Sequence, residues 1–553
     1  MRFVLQLTHP AASPAPPTLS FRVDGHDVSV ADDGASLLEV LRDRLGRRTP
    51  KDGCSPQGQC GCCTVWVDGA PRVACVTPAR RVAGRSVTTL DGVPADVRGA
   101  WADALTARGA SQCGFCTPGI IMRLAALGAR RTAPGRGEVE RALLAHLCRC
   151  TGWATIVDAA LDVLGPTGHS DAVGHVAAGR DLGAAGRRAT LEGGVPQVVG
   201  PGVTCGGGGF ADDTAPADAL VAVPDGRGGW AVADTLAEAR AATAKVQGRN
   251  STVALRHPVA VAPGDWSLTL RTTFVEPAYL EPDASWCRPG GEPASPLANG
   301  GAFGGKLRSP VAETARRLAD HHGRAVRVVL AREDVVRLGP KRPPVAAGVA
   351  ADGTGVLRVA RTPGSGPLGA WAAAVARAAP GLVVEEVAVP GPPVSADLRA
   401  AGWAEATVLM AALDARRRGA VGADEPVTIT SGAGAAVTAT VRGSGTLVVE
   451  VAAGAVLDET VLRSYVLGAA HQALGWVRSE GVAVDDEGAV LDLTIRSFGI
   501  LPARAMPPVE IVVHDSARPA VPAGDTVFAA VATAAWLAAG LADRWPLDPG
   551  GPP

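Results

Sequence analysis

Gly53-Cys54-Ser55-Pro56-Gln57-Gly58-Gln59-Cys60-Gly61-Cys62-Cys63 is the stretch on which the fold turns. Its spacing is Cys54-x5-Cys60-x2-Cys63, with Cys75 a dozen residues further on. Four thiolates can hold two irons, each iron taking two thiolates and two bridging sulfides. A loop that wraps such a cluster must turn tightly and aim backbone N–H groups at sulfur. Gly53, Gly58 and Gly61 supply the small, permissive positions. The plant-type spacing, C-x4-C-x2-C, is one residue shorter. Cys62 falls outside the set, because choosing it would shrink the second gap to a single residue. A zinc site prefers paired C-x2-C knuckles around one ion. Four cysteines bunched beside strands and rich in glycine favour the cluster.

A second group, Cys113-x2-Cys116 with Cys148-x-Cys150, follows in a helical context. The C-x-C half is unusual for zinc and suits a cluster clamped between helix ends, whose positive dipoles stabilise anionic sulfur. The expectation is therefore two 2Fe–2S clusters forming a short wire. Of the 11 cysteines, eight belong to these two groups. The other three, Cys62, Cys205 and Cys287, read as ordinary small core or loop residues.

Working outward, residues 18–90 alternate as strands, with Asp24-Gly25 and Asp68-Gly69 as hairpin turns and Ala35 to Leu45 as one helix. From Trp101 to Leu164 the period becomes helical, with Ile120, Ile121, Leu124 and Leu127 on one face. Residues 165–200, rich in Gly and Ala, read as a linker. Beyond them the pattern is mixed α/β. Pro310 opens a helix and Gly323 closes it, and Val326 to Leu330 is a strand. Leu491, Leu493 and Ile495 alternate like a strand, as do Val509, Ile511 and Val513. Residues 362–396, dense in Pro and Gly, read as loop. With 553 residues, more than one core is needed. The net charge of −1 points away from nucleic acid or an anionic membrane as partner. Thr526 to Ala542 is uncharged but alanine-rich, a buried helix rather than a span. The first residues carry no signal-peptide pattern, so a cytoplasmic location is expected.

At these residues the chain resembles the xanthine oxidase family of molybdenum hydroxylases. The carrying motifs are Gly53 through Val65, Gln112-Cys113-Gly114-Phe115-Cys116-Thr117-Pro118-Gly119, and Leu147-Cys148-Arg149-Cys150-Thr151-Gly152. The resemblance implies an α+β multidomain fold: a β-grasp ferredoxin domain (1–92), a four-helix 2Fe–2S domain (93–165), the linker (166–200) and a shortened, mixed α/β molybdenum-cofactor-binding domain (201–553). It also implies a molybdenum–pterin cofactor with Gln112 and Cys150 against the pterin. Gly301, Ala302, Phe303, Gly304 and Lys306 are similar to the family's glycine loop beside the metal. Gln472 matches a cofactor-contacting glutamine. Read alone, that loop also fits G-x4-G-K, but Leu307 follows where a nucleotide enzyme needs Ser or Thr.

The departures are as informative. The region from 201 to 553 is short for the family, and only 20 positions separate Glu281 from Gly301. That leaves no room for the segment carrying a metal-facing glutamine. Gly524-Asp525 stands where the family has Gly-Glu, so Asp525 is the expected general base, with Arg399 as substrate-positioning arginine. The alternative role for Asp525 is as cap of the following helix. The resemblance implies an oxidoreductase that hydroxylates a small-molecule aldehyde or N-heterocycle and passes electrons through both clusters to a separate FAD-binding subunit. A homodimer is compatible with it. The other reading is a non-catalytic electron-transfer subunit whose degenerate molybdenum domain serves for docking.

Overall fold

The computed structural model describes residues 17–128, 133–165, 179–243 and 254–548. The expectation for the first residues of the chain therefore lies outside the described part.

The first sheet has five mixed strands in the order His26–Ala31, Thr18–Val23, Ser86–Thr88, Thr64–Val67, Ala70–Val73. Both Asp-Gly pairs have φ above zero, at 50° and 84° for Asp24-Gly25 and 49° and 76° for Asp68-Gly69. That is the conformation a two-residue hairpin turn of matching twist requires. The helix starts at Leu37, capped by Ser36 Oγ on Glu39 N, and continues through Val40–Arg44 with π winding. Four helices follow: Ala95–Ala107, Thr117–Gly128, Arg136–Ala142 and Ala154–Leu164. Thr117–Gly128 lies against the first sheet, where Trp66 Nε1 donates to the Met122 carbonyl at 2.7 Å. Its face of Ile120, Ile121, Leu124 and Leu127 is buried, as the helical period predicts.

Three further four-stranded sheets build the rest. Two buried helices, Glu459–Arg478 and Gly524–Ala538, pack against one another at its centre. Small residues make this approach feasible. A Cβ on Gly468 would lie 1.8 Å from the Cys150 carbonyl oxygen. Only glycine lets the longer helix pass that close to the second cysteine group. Among the described residues, no helix is long and apolar enough to cross a membrane.

Three expectations change. Residues 182–193 form a helix within the segment read as linker, capped by Asp181 and closed by Gly194 at φ 69°. Its Ala185 and Ala189 pack on Val461 and Tyr465, a small-residue contact with too little hydrophobic contrast to show a period. The stretch 362–396 holds the helix Gly369–Ala378 and the strand Leu382–Ala388, which pairs in parallel with Gly355–Arg361. Pro and Gly crowd its two ends and the break at Pro380-Gly381 between these elements. Leu491 to Ile495 is not a strand. Ile495 N donates to Gln57 Oε1, and the Leu493 carbonyl accepts from Gln57 Nε2, so these backbone groups serve the first cysteine loop instead.

Candidate functional site

The first loop brings its expected thiols into a ring. Cys54 is in sulfur contact with Cys60 and Cys75, and Cys75 with Cys63. Cys62 lies outside this ring, against Cys60 alone. Backbone N–H groups point inward: Gln57 N and Gln59 N reach Cys54 Sγ at 3.3 and 3.4 Å, and Cys75 N reaches Cys63 Sγ at 3.4 Å. In the second group, Cys116 contacts Cys148, and Cys150 Sγ stands 3.7 Å from Cys113 Sγ. Crowded thiols cannot all ionise alone. Contacts with Cys60 and Cys75 hold Cys54 well below the usual thiol range, while contacts with Cys54 and Cys63 push Cys75 up. Contact with Cys116 draws Cys148 down to about 6, burial opposing and Thr151 assisting. Cationic iron is what would let all four of a ring become thiolates. Among the described residues no three His, Cys, Asp or Glu side chains are set to hold a single metal ion.

The two groups touch. Leu147 N, next to Cys148, donates to the Cys60 carbonyl at 3.0 Å. A Cβ on Gly61 would lie 2.4 Å from the His146 ring, and one on Gly119 2.3 Å from the Gly61 carbonyl oxygen. Burial pushes His146 down to about 3, so it stays neutral.

The second group forms one wall of a small cavity that it shares with Gly300, Gly301, Ala302, Glu281 and Lys306. Gly300, Gly301 and Gly304 have φ of 75°, 85° and 87°, and a Cβ on Gly301 would sit 3.0 Å from Cys113 Cβ. Phe303, from the same loop, helps line a second, somewhat larger cavity of about 40 Å³ with Arg342, Arg399, Gln472, Trp476 and Phe528. Gln112 Nε2 donates to the Cys150 carbonyl and Ser464 Oγ at 2.8 and 2.9 Å. Gln472 Oε1 accepts from Arg399 Nη1 at 3.1 Å, and its Nε2 donates to the Arg149 carbonyl at 3.2 Å. The structure thus gathers Gln112, Gly301 to Gly304, Arg399 and Gln472 around the second cysteine group. Arg342 Nη2, in the lining of this second cavity, is buried without a hydrogen-bond partner, while Glu276 there is ion-paired with Lys341 at 2.8 Å. The unpartnered Arg342 Nη2, the glycine cradle and the guanidinium of Arg399 suit a polar, anionic, planar group such as a pterin.

Asp525 is not the cap of the helix that follows it. Its side chain is 59% exposed, with Oδ1 3.6 Å from Arg399 Nε. It sits inside the first turn of Gly524–Ala538, whose start at Ala523 has no side-chain cap from the flanking residue. The capping role belongs to Glu192, which accepts from Ala523 N at 3.1 Å and Gly524 N at 2.9 Å while paired with Arg188. Sequence reading missed Glu192 because it lies in the presumed linker. A Glu at the end of an Ala-rich run gave no signal of a distant helix start.

Buried ion pairs tie the cavity walls together. Arg149, between Cys148 and Cys150, meets Glu480 through two 2.5 Å bonds. Lys306 meets Glu281 at 2.7 Å, and Arg342 meets Glu405 at 2.8 Å. Burial pushes Glu281 up to about 7 against the pull of Lys306. Arg399 has no comparably close carboxylate among the described residues, and burial lowers it from the usual arginine range.

Comparison with known proteins agrees. Residues 89–161 match the family described as the 2Fe-2S binding domain. The nicotine 6-hydroxylase small subunit of Paenarthrobacter nicotinovorans is 36% identical over 154 residues, 28% of this chain and 93% of that subunit. The xanthine dehydrogenase iron-sulfur-binding subunit of Escherichia coli O157:H7 is 41% identical over 136 residues, 23% of this chain and 82% of that subunit. The aldehyde oxidoreductase of Megalodesulfovibrio gigas is 40% identical over 149 residues, 25% of this chain, and the match spans only 16% of its length. In fold, the chain resembles the solved aldehyde oxidoreductase from Desulfovibrio desulfuricans at 15% identity, with a TM-score of 0.68 and coverage of 97% and 99%. The chain belongs to the xanthine oxidase family of molybdenum hydroxylases.

Proposed function

We propose that the chain is an oxidoreductase that takes two electrons from a small-molecule aldehyde or N-heterocycle and passes them on singly. The observation that carries this reading is the shared wall: Cys113 and Cys150 line the same cavity as Gly300 to Ala302. A group held on that loop would be next to the second thiol ring, which is joined to the first through the Leu147–Cys60 hydrogen bond. Each ring, Cys113, Cys116, Cys148 and Cys150 or Cys54, Cys60, Cys63 and Cys75, would hold one 2Fe–2S cluster. Gln112, Gly301 to Gly304 and Gln472 would hold a molybdenum–pterin group. When bound, that group supplies the two-electron oxidation of substrate.

The chain's own residues supply the setting. Arg399, stacked over the Phe303 ring at 5.0 Å, is placed to fix a polar substrate atom. Phe303, Trp476 and Phe528 give the cavity an apolar, aromatic wall. Asp525, whose Oδ1 lies 3.6 Å from Arg399 Nε, would act as the proton acceptor. The electrons then need an acceptor, and a separate flavin-binding subunit fits that need.

One observation favours the relay reading instead. Arg149, Lys306 and Arg342 are already neutralised by Glu480, Glu281 and Glu405, which leaves less positive charge for an anionic cofactor. Metal analysis of protein purified from its native host separates the two. An enzyme carries about one molybdenum for each four irons. Iron at the same level with no molybdenum supports the relay.

A further inference from the structure

We infer that Arg496 is a positioning residue of the electron path: a fixed cation, held against the first cysteine loop, that raises the first centre's reduction potential. This rests on the two-cluster reading above. Arg496 lies in the short helical turn Ile495–Phe498, within the stretch whose alternation reads as a strand. Its Nε donates to the Gln59 carbonyl at 2.9 Å, and its backbone N donates to Gln59 Oε1 at 3.3 Å. Its Nη2 donates to the Leu144 carbonyl at 2.7 Å. Gln57 holds the same turn, through Ile495 N at 3.1 Å and the Leu493 carbonyl at 3.0 Å. A planar guanidinium bonded at two of its nitrogens has little freedom left.

Gln59 carries the contact towards sulfur. Its N–H reaches Cys54 Sγ at 3.4 Å, and its own carbonyl, the one that holds Arg496, precedes Cys60. One residue therefore separates the positive charge from the first ring. Leu144 stands four positions before Cys148, so the second ring is further along the chain from this charge. Both guanidinium bonds go to neutral carbonyls, and among the described residues no carboxylate pairs with Arg496. Arg149 differs in this respect, because Glu480 cancels its charge.

Four thiolates outweigh the positive charge of an iron–sulfide core, so the centre is anionic and reduction makes it more so. One electron arrives from the second centre, which is oxidised as the first is reduced, and no bond forms or breaks. A nearby cation favours the more negative form. Arg496 thus draws the electron from the second centre towards the first. Its side chain is exposed at the outer edge, so added salt screens part of the effect.

The test is a redox titration of the full, cluster-loaded chain followed by EPR, comparing wild type with Arg496→Gln, Arg496→Met and Arg496→Lys. The two neutral variants keep both centres and lower the first midpoint. The expected change is on the order of tenfold in the electron's distribution, about 59 mV for a one-electron couple. The second midpoint moves less. Arg496→Lys keeps the charge but loses the two-pronged grip, and it stays near wild type. An unchanged first midpoint in both neutral variants overturns the proposal. Equal lowering in all three variants overturns it too, by assigning the effect to the hydrogen bonds rather than the charge. Loss of the first signal in all three would make Arg496 a structural clamp, and that also overturns it. Failure of the parent reading is visible separately, as fewer than two centres in the wild type.

Discussion

Changing Glu480 to glutamine removes the negative charge that faces Arg149 without removing the side chain's bulk. Arg149 is 5% exposed and Glu480 2%, so water cannot replace the lost charge. Breaking a buried pair from one side typically destabilises by about 3–5 kcal/mol. That is a large fraction of the roughly 5–15 kcal/mol that holds a domain folded. The third contact, Arg149 Nε to the Pro277 carbonyl at 3.1 Å, remains but carries no opposite charge. Because Arg149 lies between Cys148 and Cys150, the damage is local to the second ring. The expected result is a lower melting midpoint and loss of the second centre's EPR signal, with the first centre retained. The double variant Arg149→Met, Glu480→Leu removes both charges and recovers most of the loss, as replacing a buried pair by apolar groups is often neutral. Unchanged melting and an intact second centre in Glu480→Gln would refute the reasoning. So would a double variant as damaged as the sum of the two singles.

Asp525→Asn abolishes turnover while leaving molybdenum content and melting nearly unchanged, since Glu192 and not Asp525 holds the helix start; turnover retained in loaded protein places the base elsewhere. His471 is pushed down to about 3 by burial, with Arg149 adding to it, so the folded protein leaves it neutral where the unfolded chain protonates near 6.5. Its contribution is intact above pH 6.5 and falls by about 1.4 kcal/mol per unit below that, roughly 2 kcal/mol by pH 5. Denaturant melts of His471→Gln against wild type therefore converge by about that amount between pH 7 and 5, and a constant gap contradicts the assignment. Pull-down from the native host recovers a flavin-binding protein, whereas this chain alone with bound flavin contradicts the electron path proposed.

The two cysteine groups were legible because cluster chemistry fixes residue type and spacing locally. Asp24-Gly25, Asp68-Gly69, Pro310 and Gly323 were legible for a related reason, since each meets a backbone demand of its own position. What escaped was decided by distant partners. Leu493 and Ile495 alternate as a strand should, yet their backbone groups bind Gln57. The helix Leu182–Gly193 buries three alanines and Arg188, which leave little periodic apolar contrast. Its Glu192 became a cap because Ala523 and Gly524, over 300 positions away, present free N–H groups there. Of the candidate site, Gln112, the glycine loop, Arg399 and Gln472 came from resemblance, and only the fold brought the loop, Arg399 and Gln472 to one pair of cavities, with Gln112 bonded to the Cys150 carbonyl beside them.

The central claim, two separate clusters in one chain, is tested most directly by iron and acid-labile sulfide content together with EPR on wild type and Cys148→Ser. Two 2Fe–2S centres require about four irons and four sulfides per chain, with two distinct signals. Cys148→Ser then removes or cripples one signal and leaves the other. A folded variant in which both signals vanish together, or a wild type with only about two irons, contradicts the account.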